Sequence, residues 1–221
     1  MKLKYLYFIA FAVLVSCGNV KKEKTKAQKE LANAEPVEVN ATQEGLKKAY
    51  FASGCFWCVE AVYESVKGVK ESISGYSGGT GKNPTYQNYG KTDHAEAVEI
   101  IYDPEVVDFK TLVDVYFASQ NVTQQNGQGP DMGREYRSII FYQNATQKKI
   151  IEDKIAALSK SYDKPIAAEV MPFQKFWVAE DYHQDYKKHN PNNRYVQQVS
   201  NPRFNKFRRN FPSELLKEKY Q

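Results

Sequence analysis

Between Ala49 and Lys188 the chain alternates short strand patterns with amphipathic helix patterns, and this alternation constrains the fold more than any other feature. The first unit is a strand over 49–52, a tight turn at Ser53-Gly54 and a helix over 55–65. Further strands are predicted over 69–76, 97–102, 138–142 and 167–171, and helices over 108–119, 145–160 and 181–188. Because no phosphate-binding glycine pattern follows a strand, we expect an α+β fold, a mixed-sheet α/β sandwich, and not a dinucleotide fold.

The first residues have the pattern of an export signal. Lys2 and Lys4 precede an apolar run over 6–15 that is too short to span a bilayer. The run ends in Leu-Val-Ser-Cys at 14–17, which is typical of a bacterial lipobox, so residues 1–17 are predicted to be a lipoprotein signal peptide with Cys17 lipidated. The alternative is an uncleaved signal anchor with an incidental cysteine. Either interpretation predicts an exported, membrane-anchored protein.

Residues 18–45 are mostly polar, with almost no large apolar side chains, which predicts a flexible, disordered tether. The remainder, 46–221, has the size of one domain. The formal net charge of +5 is a mild excess and does not predict a nucleic-acid partner. A basic and aromatic cluster at 203–209 could contact phosphates or lipid head groups, but a solvated tail packed by its aromatic side chains is favoured.

The cysteine pair is the strongest chemical signal. If Cys17 is acylated, Cys55 and Cys58 are the remaining thiols, spaced Cys-x-x-Cys at a strand-to-helix turn. Unpaired N–H groups at the helix start would favour a thiolate on Cys55. Three alternatives are an inert buried pair, a permanent disulfide and a metal site, although the three histidines do not match zinc spacing. Position and cysteine count favour a redox-active pair.

Phe56 and Trp57 lie between the cysteines and would form an apolar pocket suited to a thioether or methyl group. The segment Gly-Cys-Phe-Trp-Cys-Val-Glu at 54–60 resembles the signature of the peptide methionine sulfoxide reductases of the A type, in the variant with a second cysteine. Further motifs resemble the family in its order, at 75–79, 83–86, 94–98, 133–138 and 179–184. The resemblance spans about 50–184 and implies the ferredoxin-like core of this family.

The resemblance also implies roles for individual residues. Cys55 would be the nucleophile, Glu96 the acid that protonates the sulfoxide oxygen, and Tyr86 and Tyr136 its hydrogen-bond donors. Asp131 would help to organise the site. Composition alone would not single out two of 16 tyrosines, and Glu96 alone would pass for a solvated carboxylate. The substrate-binding set implied by the resemblance is Gly54, Phe56, Trp57 and His183.

The family implies the activity, which is thiol-dependent reduction of the S epimer of methionine sulfoxide, free or in oxidised exported proteins. The Cys55 sulfenic acid would condense with Cys58, because no cysteine follows Cys58 in this chain. A thioredoxin-like reductant would recycle the disulfide, and no metal, flavin or nucleotide is required. A general thiol-disulfide oxidoreductase and a non-enzymatic binding lipoprotein remain open as alternatives. Gln-Asn-Val-Thr at 120–123 departs from the usual His-Asp-Pro and leaves the substrate preference open.

Overall fold

The computed structural model describes residues 25–221. Its helices are α1 to α6, namely Lys26–Ala32, Phe56–Glu64, Phe109–Ala118, Ala145–Ser159, Tyr186–His189 and Asn201–Asn210. Its strands are β1 to β8, namely Lys47–Ala52, Val69–Ser77, Ala95–Tyr102, Gly127–Gln128, Asp131–Met132, Ile139–Tyr142, Glu169–Pro172 and Phe176–Val178. Every strand predicted from the sequence is present, and three of the predicted helices lie within a few residues of their predicted bounds.

Six strands form one sheet in the order β7-β6-β1-β3-β2-β8. All neighbours pair antiparallel except β6 and β7, which are parallel, so the sheet is mixed and the predicted α+β class is confirmed. The short strands β4 and β5 form a separate ribbon within the predicted irregular loop. This ribbon carries Asp131.

Apolar side chains cover both faces of the sheet. Phe51 of β1 stacks on Tyr63 of α2, with ring centroids 5.0 Å apart. Its neighbour Tyr50 points to the opposite face, as alternate residues of a strand must, and stacks on Phe173 at 3.8 Å. Because both faces are buried, β1 is held rigidly, and its last residue, Ala52, leads directly into the turn before Cys55.

The part of 18–45 that the structure describes contacts the domain, although the sequence predicts a flexible tether there. Thr25 caps α1, the Val37 N–H donates to the Phe173 carbonyl at 2.8 Å, and the Val39 N–H donates to Gln143 at 2.9 Å. Leu31 and Val39 pack on the Tyr50 face of the sheet. These contacts offset the ordering entropy that composition alone suggested the segment could not recover.

The predicted signal and Cys17 lie outside the described residues. Over 25–221, none of the helices is both long and apolar enough to cross a bilayer.

The C-terminal region departs most from prediction. The helix predicted over 181–188 is instead a 3-10 turn, Asp181–His183, followed by the single-turn α5, because Asp185 between them has a φ of 53°. The cluster at 203–209 forms most of α6 and not a tail, but its aromatic side chains Phe204 and Phe207 pack into the main core as predicted. This helix packs against α2 and so brings the end of the chain to the cysteine pair.

Candidate active site

The turn between β1 and α2 places Cys55 at the start of a helix. Gly54 has a φ of +73°, and a Cβ there would lie 2.5 Å from Cβ of Gln128, so the turn requires glycine. The Gly54 N–H donates to the Tyr136 carbonyl at 3.2 Å. Cys55 is the residue that precedes the first turn of α2, as the sequence predicted.

A cavity of about 320 Å³ opens over Cys55. It brings together seven residues that the sequence analysis assigned to the site: Cys55, Phe56, Trp57, Tyr86, Glu96, Asp131 and Tyr136. Asn193 and Tyr195 complete the lining. Gly54 and His183 do not line this cavity, and neither does Cys58.

Glu96 is a buried carboxylic acid on β3 and is only 2 % exposed. Its Oε2 accepts a hydrogen bond from the Phe56 N–H at 2.9 Å, and its Oε1 accepts one from the Tyr89 hydroxyl at 2.9 Å. Burial raises the pKa of Glu96 to about 8, although these two donors partly oppose the shift. The side chain is therefore a proton donor at neutral pH and not the solvated carboxylate of the alternative reading.

The two phenols predicted as donors line the same cavity as Glu96. Tyr86 lies at the rim and is 41 % exposed, whereas Tyr136 is more enclosed. Burial raises the pKa of both hydroxyls, so each keeps its proton and can donate it in a hydrogen bond. Tyr136 also bonds to Tyr89, a residue that sequence reasoning missed and that links it to Glu96.

The two thiols are free and buried, and each changes the pKa of the other. Burial, followed by the neighbouring Cys58, raises the pKa of Cys55. A hydrogen bond from Cys55 lowers the pKa of Cys58 to about 6, with further help from Arg203. Burial therefore opposes the thiolate predicted on Cys55, whereas the hydrogen bond from Cys55 and the nearby Arg203 favour the thiolate of Cys58. Desolvation outweighs the helix terminus because Cys55 is only 6 % exposed.

Tyr195 was not identified from the sequence, yet it lies at the centre of the site. Its hydroxyl donates to Asp131 Oδ2 at 2.5 Å and lies 3.8 Å from Sγ of Cys58. It belongs to the C-terminal region, beyond the last motif that resembled the family. Only its aromatic character among polar neighbours could have drawn attention to it.

His183 supports the aromatic wall from behind. Its Nδ1 accepts a hydrogen bond from Nε1 of Trp57 at 3.1 Å, and its ring lies against Phe56 at 4.8 Å. Burial lowers the pKa of His183, so the ring is neutral and suited to accept this bond. It positions Trp57 and does not face the cavity. Within 25–221, no group of three or more His, Cys, Asp or Glu side chains is arranged to hold a metal ion.

The family model described as "Peptide methionine sulfoxide reductase" matches residues 47–215. The chain belongs to this family. The peptide methionine sulfoxide reductase MsrA of Pasteurella multocida is 46 % identical to it over 160 residues, which cover 72 % of this chain and 92 % of the relative. Membership of the methionine sulfoxide reductases confirms the sequence resemblance and makes the chain an oxidoreductase.

Solved structures of methionine sulfoxide reductases share the fold. Mxr1 of Saccharomyces cerevisiae in reduced form superposes with a TM-score of 0.64 at 30 % identity, covering 70 % of this chain and 91 % of that one. Methionine sulfoxide reductase A of Corynebacterium diphtheriae has a TM-score of 0.61 at 31 % identity, covering 73 % and 87 %. The family match extends past residue 184, so Tyr195 and α6 lie within the region shared with this family.

Proposed function

We propose that this methionine sulfoxide reductase reduces the S epimer of methionine sulfoxide, free or in exported proteins, by way of a Cys55 sulfenic acid. The observation that carries the proposal is a single cavity in which Cys55 faces a protonated Glu96, two phenolic donors and an aromatic wall. The methyl and thioether groups of the substrate are apolar and suit Phe56 and Trp57, while the sulfoxide oxygen needs the donors. The preference for the S epimer rests on family membership.

In the first half-reaction the sulfoxide oxygen passes from the substrate to Cys55. Glu96 donates its proton to that oxygen, and Tyr86 and Tyr136 hydrogen-bond to it. Cys55 passes its proton to the Cys58 thiolate, and the resulting Cys55 thiolate attacks the sulfoxide. The substrate S–O bond breaks, an S–O bond to Cys55 forms, and the products are methionine and the Cys55 sulfenic acid. The thiol sulfur is oxidised by two electrons and the substrate sulfur is reduced by two.

In the second half-reaction Sγ of Cys58 attacks Sγ of Cys55 and hydroxide leaves, taking up a proton as water. The product is a Cys55–Cys58 disulfide. The hydrogen bond from Cys55, and then the nearby Arg203, lower the pKa of Cys58, and the fixed charge of Arg203 does not depend on the oxidation state of Cys55. A thioredoxin-like dithiol then reduces the disulfide and closes the cycle.

The test is to incubate the purified protein with dithiothreitol and separate S and R epimers of a blocked methionine sulfoxide, following each by chromatography. We expect the S epimer to be consumed and the R epimer to persist, because membership of the A-type family implies this preference. Consumption of both epimers at similar rates would contradict the stereochemical part of the proposal.

If neither epimer is consumed while the protein is folded, the proposed function itself is wrong. The second candidate, a general thiol-disulfide oxidoreductase, is favoured only by the Cys-x-x-Cys spacing. It predicts rapid reduction of insulin disulfides. The proton donors that line the cavity with Cys55 argue against it, since disulfide exchange has no sulfoxide oxygen to protonate.

We also propose that the protein is exported and held at a membrane by lipid on Cys17. The support is the sequence of the first 17 residues, with its basic start, short apolar run and lipobox. We expect the expressed protein to partition into a detergent phase and to incorporate labelled palmitate, and Cys17→Ser to abolish the labelling. Equal labelling of both proteins would refute the anchor. The double substitution Cys55→Ser, Cys58→Ser is the control that excludes acylation of the other thiols.

A further inference from the structure

Glu180 is a carboxylate behind the substrate cavity that the proposed mechanism does not use. It lies between β8 and the turn that carries His183, and it does not line the cavity. Its Oε1 accepts the Tyr86 N–H at 3.0 Å, and its Oε2 accepts the Tyr76 hydroxyl at 2.8 Å. Burial acts to raise the pKa of Glu180, but the Tyr86 N–H and the other donors lower it overall, so the side chain is an anion at neutral pH.

The imidazole of His183 lies between this carboxylate and the indole of Trp57. Because Nδ1 of His183 accepts the indole N–H at 3.1 Å, the proton of the neutral ring must be on Nε2. Among the residues that the structure describes, none hydrogen-bonds to this buried Nε2. Oε2 of Glu180 lies 4.0 Å from it. A carboxylate that faces the second nitrogen of a histidine fixes the tautomer of the ring.

The opposite tautomer would be unfavourable at both ends of the imidazole. A proton on Nδ1 would face the N–H of Trp57, and the lone pair of Nε2 would face the carboxylate of Glu180. Stacking on Tyr186 at 3.7 Å fixes the plane of the Trp57 ring but not its rotation within that plane. The hydrogen bond to His183 supplies this second restraint, and Glu180 favours the tautomer on which the bond depends.

Glu180 therefore acts on two walls of the cavity. We propose that Glu180 is a positioning residue of sulfoxide reduction. It holds the backbone of Tyr86 directly, and it holds the indole of Trp57 by way of His183. The inference rests on the proposed function and extends the machinery to a residue outside the cavity.

A glutamine cannot replace this carboxylate, although it has the same shape. An amide has one acceptor oxygen, and its nitrogen is a donor. With the oxygen toward the Tyr86 N–H, the amide nitrogen would face the Nε2 proton of His183. With the amide reversed, its nitrogen would meet the Tyr86 N–H. In either orientation one of the two walls loses its contact.

The first test does not depend on catalysis. Nitrogen-15 NMR of the native protein and of Glu180→Gln reports the protonated ring nitrogen of His183, the indole N–H of Trp57 and the backbone N–H of Tyr86. The chain has two tryptophans and three histidines, so single substitutions assign these signals. We expect the native proton on Nε2, and in Glu180→Gln either a shift of that proton to Nδ1 with faster exchange of the indole N–H, or a displaced Tyr86 N–H signal. A native proton on Nδ1, or no change in any of the three signals, overturns the proposal.

The second test measures turnover of the S sulfoxide with dithiothreitol. We expect Glu180→Gln to lower kcat/KM about tenfold, less than the roughly 100-fold that a misplacement of 1 Å can cost. The matched control is Asp181→Asn, which removes the next carboxylate along the chain, an exposed one, and should stay within about twofold of the native value. Equal values in the two variants refute the positioning role.

A conservative variant tests whether the carboxylate itself is needed. Glu180→Asp keeps two acceptor oxygens on a shorter side chain, and its kcat/KM should lie between those of the native protein and Glu180→Gln. A larger loss in Glu180→Asp than in Glu180→Gln would contradict the need for a carboxylate. If the native protein consumes no sulfoxide, the proposed function is wrong, while the NMR signals still report on the contacts of Glu180.

Discussion

Replacing Glu96 by Gln is expected to lower kcat/KM for the S sulfoxide about 1,000-fold, the middle of the range for loss of a positioned general acid. Glutamine keeps the size of the side chain and can still accept the Phe56 N–H bond that holds Glu96 at 2.9 Å. It has no acidic proton to place on the sulfoxide oxygen. The loss should therefore fall on the chemical step, with kcat and kcat/KM reduced together.

The pH dependence of kcat/KM follows from the protonation states that the reaction requires. The Cys pair must lose its first proton, whose pKa is lowered to about 6, and Glu96 must keep its proton, whose pKa is raised to about 8. For the native protein, kcat/KM should rise as the pH increases through about 6 and fall as it increases through about 8. The residual activity of Glu96→Gln should lack the alkaline fall.

The matched control is Glu99→Gln. Glu99 is a second buried glutamate on the same strand, but it accepts the Tyr50 hydroxyl at 2.7 Å and pairs with Lys48, away from the cavity. Its replacement should leave kcat/KM within about twofold of the native value and keep the alkaline fall, because Glu99 does not line the cavity. If the two variants lose activity alike, or if Glu96→Gln keeps the alkaline limb, Glu96 is not the acid.

Local signals in the sequence predicted most of the fold. The Asp108 side chain caps α3 by accepting the Thr111 N–H at 2.7 Å, and such caps are encoded within a few residues. Elements that depend on distant partners were missed or misread. The three-residue β8 exists because it pairs with β2, and α1 packs its Leu31 against the buried cluster that contains Phe173. The composition of a short segment carries no information about these distant partners.

The same distinction applies to the site. Cys55, Glu96, Tyr86 and Tyr136 were assigned through motifs, and the fold brings them into one cavity. Tyr195 contacts Cys58 across 137 positions of sequence, and Arg203 reaches Ser53 across 150. No local pattern marks either residue. Their roles depend on the packing of α6 against α2, which is a property of the tertiary structure.

Burial opposes the thiolate that the sequence predicts on Cys55. A helix start stabilises an anion by about 0.3–1 kcal/mol at an exposed site, which is less than the cost of removing a thiolate from water in an enclosed one. Cys58 escapes this cost because Cys55 donates to it and Arg203 lies nearby. The two shifts favour the negative charge on Cys58 in the reduced pair, and in the proposed mechanism Cys55 becomes the thiolate when its proton moves to Cys58.

Replacing Cys58 by Ser should separate the two half-reactions. With no resolving thiol, the protein should release one equivalent of methionine from excess sulfoxide and then stop, because the sulfenic acid on Cys55 has no neighbour with which to condense. Turnover supported by thioredoxin should fall about 100-fold or more, since the disulfide that the reductant recognises never forms. The first equivalent should also form more slowly, because Cys58 no longer accepts the Cys55 proton.

Cys55→Ser is the paired variant and should release no methionine at all, since loss of a nucleophile that acts with its partners costs about as much as loss of the whole set. Quenched-flow measurement of methionine, together with labelling of the sulfenic acid by a dimedone reagent, checks both expectations. Label should appear at residue 55 in Cys58→Ser and nowhere in Cys55→Ser. Multiple turnovers by Cys58→Ser with thioredoxin would show that the reductant attacks the sulfenic acid directly, and Cys58 would then have no part in resolving it.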